Sequence, residues 1–362
     1  MPMYKTFRVK NFRGFHDIEL KNLARVNLVS GQNGIGKTAL LEAFYLHAGA
    51  ENPLLPVKID AWRGLGAIDT VLGESMETPW DNLFFGFGDS DEIEVSGTDD
   101  VAGQRTYRLR VLTRQDEIQQ ASAYVSAQSS ETEIRALSEQ TYRILELNHI
   151  TNDGSSIHYI LLGPKGIGAG PMGGINPFNT HFHGVAQRPT AEELARQFGN
   201  LQKQGKEEVL VEMLRLIEPR MKRVVLRLIG EKPLLQADID EIGLIPLPLM
   251  GDGALRLTAF VLHISATSKG VALIDEIENG IHHSVLTKVW RAIYSTAKLF
   301  DSQVISTTHS YEAISAAHNA FVSEDNYDFC VFRLERIKGM VEVVRYDREA
   351  LDAAISDELE IR

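Results

Sequence analysis

Apolar and polar residues along this chain change period several times, and each change predicts a different element. Residues 3 to 20, MYKTFRVKNFRGFHDIEL, read as two strands broken at Arg13-Gly14. Val26, Leu28 and Val29 form a short apolar run that reads as a buried strand, and Ala39-Leu40-Leu41-Glu42-Ala43-Phe44 reads as a helix after it. Between 50 and 91, Pro53, Pro56 and Pro79 interrupt the pattern, while Trp62, Trp80, Phe84, Phe85 and Phe87 supply packing. From 92 to 162 the period falls to two: IEV, TYRLRVL, YRILEL and IHYILL, separated by turn residues, predict an antiparallel β-lobe. Residues 163 to 177 are rich in Gly and Pro and read as a mobile surface loop. Gly168, Gly170 and Gly173 spell GxGxxG within it, but Pro171 and Pro177 stop a helix from opening there.

Helical spacing runs from 190 to 229, with Thr190 and Glu193 placed as a capping box. Short strands follow in LLQADIDEIGLIPLPLM. Alternating strand–helix units end the chain: VALIDEI with a helix from about Ser284 to Leu299, QVISTTHS with its helix, then DFCVFRLER and MVEVVRYD. The order predicts an α/β core contributed by residues 1–91 and 241–362. A β-lobe with its Gly-rich loop is expected at 92–189 and a helical segment at 190–240. There is no internal repeat and no heptad run long enough for a coiled-coil arm.

Between the strand at Val26 and the helix at Ala39 lies Gly31-Gln32-Asn33-Gly34-Ile35-Gly36-Lys37-Thr38, which matches GxxxxGK[ST] at every fixed position. Strand, Gly-rich loop and helix together aim backbone N–H groups at a polyphosphate. Lys37 adds a positive charge toward the terminal phosphates, and the Thr38 hydroxyl suits Mg²⁺. Val271-Ala272-Leu273-Ile274-Asp275-Glu276 is an apolar strand ending in two carboxylates. Ligands of parallel sheets sit at the C-terminal ends of strands, so Asp275 is expected beside Thr38 with Mg²⁺. Glu276, pointing elsewhere, is placed to activate a water. Ser306-Thr307-Thr308-His309-Ser310 ends the next strand and would bring His309 to a γ-phosphate. Met250-Gly251-Asp252-Gly253 precedes the helix LRLTAFVLHIS, a second candidate anion site that two facing chains would need more than one chain would.

Composition limits the partners. The chain has 362 residues, is 44% hydrophobic and 24% charged, and carries a net charge of −12, which argues against a wholly basic nucleic-acid-coating protein. A local basic face at Arg215, Arg220, Lys222, Arg223, Arg227 and Lys232 reads better as solvated charges balanced by Glu212, Glu218 and Glu231. No apolar run approaches the ~20 residues that span a bilayer, and the N-terminus has no signal-peptide core. The one cysteine, Cys330, lies in the apolar run DFCVFRL and reads as a buried thiol; a reducing, cytoplasmic setting is the expectation. His181-Phe182-His183 reads as a loop pair rather than a metal site, since no acidic or thiol partner is spaced with it. The Asp-x-Asp pairs Asp238/Asp240 and Asp89/Asp91 read as turn carboxylates.

GQNGIGKT, LPLMGDGALRL, VALIDEIENGIHH and STTHS, in this order after the opening NFRGF, resemble an ABC-type ATPase head of the RecF/SMC/OLD (overcoming-lysogenization-defect) group, in a stand-alone form. The resemblance runs from Met3 to about Ser310. It implies the fold: a P-loop NTPase, α/β, with an inserted antiparallel β-lobe and helical segment. It also implies that Gly31, Gln32, Asn33, Gly34, Ile35, Gly36, Lys37 and Thr38 bind ATP, with Arg13 near the nucleotide. Thr38 and Asp275 would serve Mg²⁺, Glu276 would be the catalytic base and His309 the switch histidine. Gly251, Asp252 and Gly253 would form the signature loop against ATP on the opposite subunit, and Asn279, Gly280 and His282 the turn between two active sites. Three features depart from the group. Gly251 replaces the signature serine, no long coiled coil separates the halves, and the Q-loop glutamine has only Gln104 and Gln115 as candidates. About fifty residues follow His309, too few for the nuclease module many OLD proteins carry.

The expectation is therefore a Mg²⁺-dependent ATPase that forms a homodimer around ATP, or a higher homo-oligomer, and controls a separate effector protein, a nuclease or toxin, or a DNA transaction, with phage defence or DNA maintenance as the setting by analogy. Two alternatives stand beside it: a nucleotide-gated scaffold with little turnover, and a RecF-like DNA-structure binder.

Overall fold

The structure is a computed structural model describing residues 4–63, 78–87, 92–100, 102–128, 143–163, 166–170, 179–184 and 189–362. Strands β1 (Tyr4–Phe12) and β2 (Phe15–Lys21) form a hairpin; β3 (Val26–Gly31) feeds the Gly-rich loop and helix α1 (Lys37–Ala48); a short helix α2 (Leu55–Trp62) follows. Next come β4 (Ile93–Asp99), β5 (Gly103–Val111), α3 (Gln115–Gln128), β6 (Arg143–Thr151), β7 (Gly154–Gly163), β8 (Gly166–Ala169) and β9 (Thr180–His183). Helices α4 (Ala191–Lys203) and α5 (Glu208–Leu214) precede β10 (Met221–Ile229), β11 (Lys232–Ile239) and β12 (Gly243–Pro246). The chain closes with α6 (Asp252–Ala266), β13 (Val271–Ile274), α7 (Leu286–Leu299), β14 (Gln303–Thr307), α8 (Tyr311–Val322), β15 (Phe329–Ile337), β16 (Met340–Tyr346) and α9 (Arg348–Ser356).

Two large sheets sandwich α1. One has the order β16-β15-β3-β14-β13-β9, with β15, β3, β14, β13 and β9 parallel and β16 antiparallel at the edge. The other is antiparallel, with the order β2-β1-β4-β5-β6-β7-β8. Alternation on the parallel sheet divides the interior, because successive side chains point to opposite faces. Val26, Leu28, Ala272, Ile274, Val304 and Val331 face the helices α4 to α8, whereas Val29, Val271, Leu273, Ile305 and Phe332 face α1 and the antiparallel sheet. Helix α1 is apolar on most sides because it is covered on most sides: Leu40, Leu41, Ala43, Phe44 and Leu46 are fully buried. Cys330 is buried on β15 with its thiol on Asn27 Oδ1 at 3.2 Å, and burial pushes it up to about 12, which suits a structural rather than a reactive thiol.

Several expectations change here. The strands of the 92–162 stretch do not stand apart: β4 pairs with β1, so they extend the N-terminal hairpin into one sheet. Part of the Gly-rich stretch is strand β8, paired with β7, while Gly173, Pro171 and Pro177 lie outside the described residues, as do Asp89 and Asp91. His181-Phe182-His183 is not loop but β9, on the edge of the parallel sheet beside β13. The helical segment expected at 190–240 is helical only to Leu214; Met221–Ile229 is a strand. Val224 and Val225 favour the pleat, and pairing with β11 overrides the helical spacing. Most of the basic residues of that stretch are exposed and paired: Arg215 with Glu208, Arg220 with Glu218, Lys222 with Asp240, and Arg223 with Asp238. Such surface pairs contribute roughly 0–1 kcal/mol each. Thr190 caps α4 through its side-chain oxygen, which accepts from Glu193 N at 3.1 Å. Among the described residues no helix is long and apolar enough to cross a membrane.

Candidate functional site

Two glycines explain the shape of the loop between β3 and α1. Gly36 has φ +114, and a Cβ there would sit 2.7 Å from the Phe15 ring; Gly31 has φ +145, and its Cβ would meet the Leu334 carbonyl at 2.7 Å. Both positions need a positive φ and close backbone approach, which a side chain forbids. The loop is thus clamped between the β1–β2 hairpin and β15, and it delivers the uncapped N-terminus of α1 to a cleft of about 390 Å³. Arg13, Gly14, Asn33 to Ala39, Arg63, Asp275, Glu276 and Arg336 line it.

Lys37 is buried, and its Nζ donates to the carbonyls of Gly31 at 2.6 Å and Gln32 at 3.1 Å. Burial lowers its ammonium pKa, opposed by Glu276, Asp275 and Glu278. The end of β13 arrives against the start of α1: Thr38 Oγ1 donates to Asp275 Oδ2 at 2.9 Å. Thr307, at the end of β14, holds the other Asp275 oxygen at 2.5 Å and accepts the Glu276 N–H at 2.8 Å. Asp275 N–H in turn donates to His183 O at 2.9 Å, so β9 fixes the backbone of Asp275 and β14 its carboxylate. Glu276 takes a left-handed backbone, φ 47, which turns the chain away from the strand direction while its side chain lines the cleft. His309 Nδ1 lies 3.7 Å from Glu276 and 3.2 Å from Glu278, and its backbone N–H donates to Glu278 at 3.0 Å.

The donor set fits Mg²⁺. A hydroxyl and a carboxylate oxygen meet at the edge of an open cleft, which matches an ion that takes one or two protein oxygens and completes its shell with water and phosphate. No cluster of three or more His, Cys, Asp or Glu suited to a metal occurs among the described residues. His181 and His183 meet buried His263 edge-on, and burial holds His183 down to about 4, which suits a neutral packing ring.

Arg13 reaches the cleft, but Glu42 at 2.6 Å and Asp60 at 2.8 Å hold it. Arg63, which sequence reasoning passed over, completes this network on Glu42 at 2.7 Å. Arg336 and Glu278 were also passed over. Arg336 sits two residues beyond the Leu334–Gly31 register of β15 with β3, and only that pairing brings it to the loop. For Glu278, the alternating Asp-Glu-Ile-Glu was the available signal. Gln104 on β5 and Gln115 at the start of α3 belong to the antiparallel sheet and its helix, and neither lines this cleft.

Gly251, with φ 95, is the N-cap of α6, so Asp252 and Gly253 form the first turn. Nothing lies within 4 Å of a Cβ at Gly251, and one at Gly253 would meet only Gly280 O at 3.5 Å. Gly280 packs against Arg256 and Asp252, which joins the Asn279–His282 turn to this helix start. Neither Gly251 nor Gly253 lines the cleft with Lys37.

The strand–loop–helix clamp with a strand-end carboxylate on its threonine defines a P-loop NTPase, in an α/β arrangement like that of SMC heads. Residues 6–164 match the AAA domain family, and residues 185–315 match the family described as AAA domain, putative AbiEii toxin, Type IV TA system, so both parts of the chain are similar to AAA ATPase domains. An ATP/GTP phosphatase of Helicobacter pylori is 25% identical over 356 residues, covering 89% of this chain and 90% of that one. The DNA replication and repair protein RecF of Idiomarina loihiensis is 43% identical over 42 residues, 12% of each chain. The crystal structure of an SMC head bound to the C-winged helix domain of ScpA shares the fold at a TM-score of 0.51 and 14% identity, covering 96% of this chain and 99% of that chain.

Proposed function

We propose that this protein is an ATPase that hydrolyses Mg-ATP and closes as a homodimer around the nucleotide. The observation that carries the reading is the 2.9 Å contact between Thr38 and Asp275, with Lys37, Glu276 and the α1 N-terminus on the same cleft. Gly31 to Thr38 wrap the phosphates with backbone N–H groups, and Lys37 exchanges its loop carbonyls for phosphate oxygens. Thr38 and Asp275 hold Mg²⁺, which when bound offsets phosphate charge. Glu276 accepts the proton of the attacking water. His309, steadied by Glu278, reports on the terminal phosphate. Arg13, already neutralised by Glu42 and Asp60, shapes the cleft wall more than it adds charge.

Gly251-Asp252-Gly253 supports the dimer. It is an open helix start away from the chain's own cleft, suited to phosphate on a facing copy. The dimer's output, control of a separate effector protein or of DNA, is read from the AbiEii toxin description, from RecF and from the partner-bound SMC head, and a place in phage defence rests on the motif resemblance alone. The placement within the OLD group rests on motif order. Sedimentation velocity on Glu276→Gln tests the assembly: a heavier species with Mg-ATP than with ADP, absent in Gly253→Arg, is the expected result. A mass indifferent to nucleotide, with full turnover in Gly253→Arg, would overturn the shared site. ATPase rates with and without DNA test the output: stimulation by DNA favours the DNA transaction, and negligible turnover under both conditions favours a nucleotide-gated scaffold.

A further inference from the structure

A second cleft, about 340 Å³, opens on the other flank of the phosphate loop, lined by Gly31, Gln32, Asn33, His309, Glu360 and Arg362. It shares Asn33 with the first cleft, so the two meet across one loop residue. Its outer wall is the segment after α9, and that segment is fastened. Ile361 is fully buried in the helical-side core, and its carbonyl accepts Ser30 Oγ at 2.7 Å, one residue before the loop begins. The anchor leaves Glu360 and Arg362 on either side of Ile361 facing outward beside His309. Glu360 Oε1 accepts both Arg362 Nε and Arg362 N at 3.1 Å. Both side chains are more than half exposed, so the pair is weakly held and open to competition by a more highly charged anion.

We propose that Arg362 is a phosphate-binding residue for the terminal phosphate of the nucleotide, held in reserve by Glu360. The inference rests on the nucleotide reading above. The loop carbonyls occupy Lys37, carboxylates occupy Arg13 and Arg63, and Arg336 lines the first cleft, whereas Arg362 lines the His309 side of the loop as an exposed guanidinium with the exposed Glu360 on it. A guanidinium matches phosphate oxygens in a bidentate fork, and a terminal phosphate reaching the His309 side of the loop would draw Arg362 off Glu360. Ser30 acts at one remove, as a positioning residue: its hydroxyl couples the end of β3 to the tail.

The two members of the pair then have opposite effects, which a packing role would not produce. Titration of full-length protein with ADP and with a non-hydrolysable ATP analogue is the test. Arg362→Ala should weaken the ATP analogue ~5- to 10-fold and ADP less than ~2-fold, as loss of one charged contact to the third phosphate requires. Glu360→Gln should tighten the analogue by ~2-fold or more and leave ADP unchanged. Ser30→Ala should follow Arg362→Ala in direction with a smaller shift. Equal effects on ADP and the analogue, no effect from Arg362→Ala, or weakening by both Arg362→Ala and Glu360→Gln would overturn the proposal. Lys37→Ala separates this failure from that of the underlying reading. If it binds both nucleotides as the parent does, the cleft is not a nucleotide site at all; if it loses both while Arg362→Ala changes nothing, only the tail assignment falls.

Discussion

Two helices in this molecule begin at glycine-rich turns, and the turns are built in opposite ways. At the start of α1 the chain is closed in: Gly31 and Gly36 touch Leu334 and Phe15 so closely that no Cβ fits, and Lys37 and Thr38 are bonded to Gly31, Gln32 and Asp275. At the start of α6 the chain is open: among the described residues a Cβ at Gly251 would meet nothing within 4 Å, and one at Gly253 only Gly280 O at 3.5 Å. The first turn is completed by its own chain, and a ligand need only displace Lys37 from two carbonyls. The second presents backbone N–H groups with nothing built over Gly251 among the described residues. A helix start of this kind has room for an anion from outside, as the proposed dimer requires.

The largest break in this comparison is expected at Glu276, because it acts on the reaction rather than on binding. Glu276→Gln should slow ATP hydrolysis by ~10²-fold or more while leaving nucleotide affinity within a few-fold, as loss of a positioned base does. Single-turnover hydrolysis with separate binding titrations checks it, and a parental rate would remove Glu276 from the role of base. Next in size is Lys37→Ala. Loss of a charged hydrogen bond of ~1.5–3 kcal/mol should weaken ATP ~10- to 10²-fold. The variant also frees the carbonyls of Gly31 and Gln32 to bond with water, so it should remain folded by circular dichroism.

How far the sequence carried depends on how local each feature is. The phosphate loop and its flanks are set by consecutive residues, and β3, the loop and α1 stand where the motif puts them. The approach of Asp275 to Thr38 was legible because parallel strands end on one edge of a sheet. Strand β9 was not legible: four residues, Thr180–His183, carry too little pattern, and only pairing with β13 makes them a strand. The strand at Met221–Ile229 was hidden by leucines and arginines whose spacing also suits a helix. Arg336 and Arg63 reach the cleft through register and an ion network between distant segments, which no local motif encodes. The tail is the extreme case, since Ser30 and Ile361 meet across 331 positions of sequence.

The sharpest test of the two turns needs no nucleotide, and the smallest predicted effect, at Gly253, is its reference point. Gly36 and Gly251 both hold positive φ, so an alanine at either incurs backbone strain of roughly 1–3 kcal/mol. Only Gly36 adds a collision, with a Phe15 ring that is itself fully buried and has nowhere to go, at a further ~1–3 kcal/mol. Gly253 has neither problem: it is the second residue of α6 with ordinary van der Waals clearance, so Gly253→Ala should stay within ~0.5 kcal/mol of the parent. Urea unfolding of the three alanine variants without ligand should therefore rank Gly36→Ala well below Gly251→Ala, and Gly251→Ala below Gly253→Ala. If Gly251→Ala proves as destabilised as Gly36→Ala, the α6 turn is packed against something and is not open. A Gly253→Ala midpoint matching the parent would show that this helix start tolerates a Cβ, so that an effect of Gly253→Arg on assembly would trace to the longer, charged side chain.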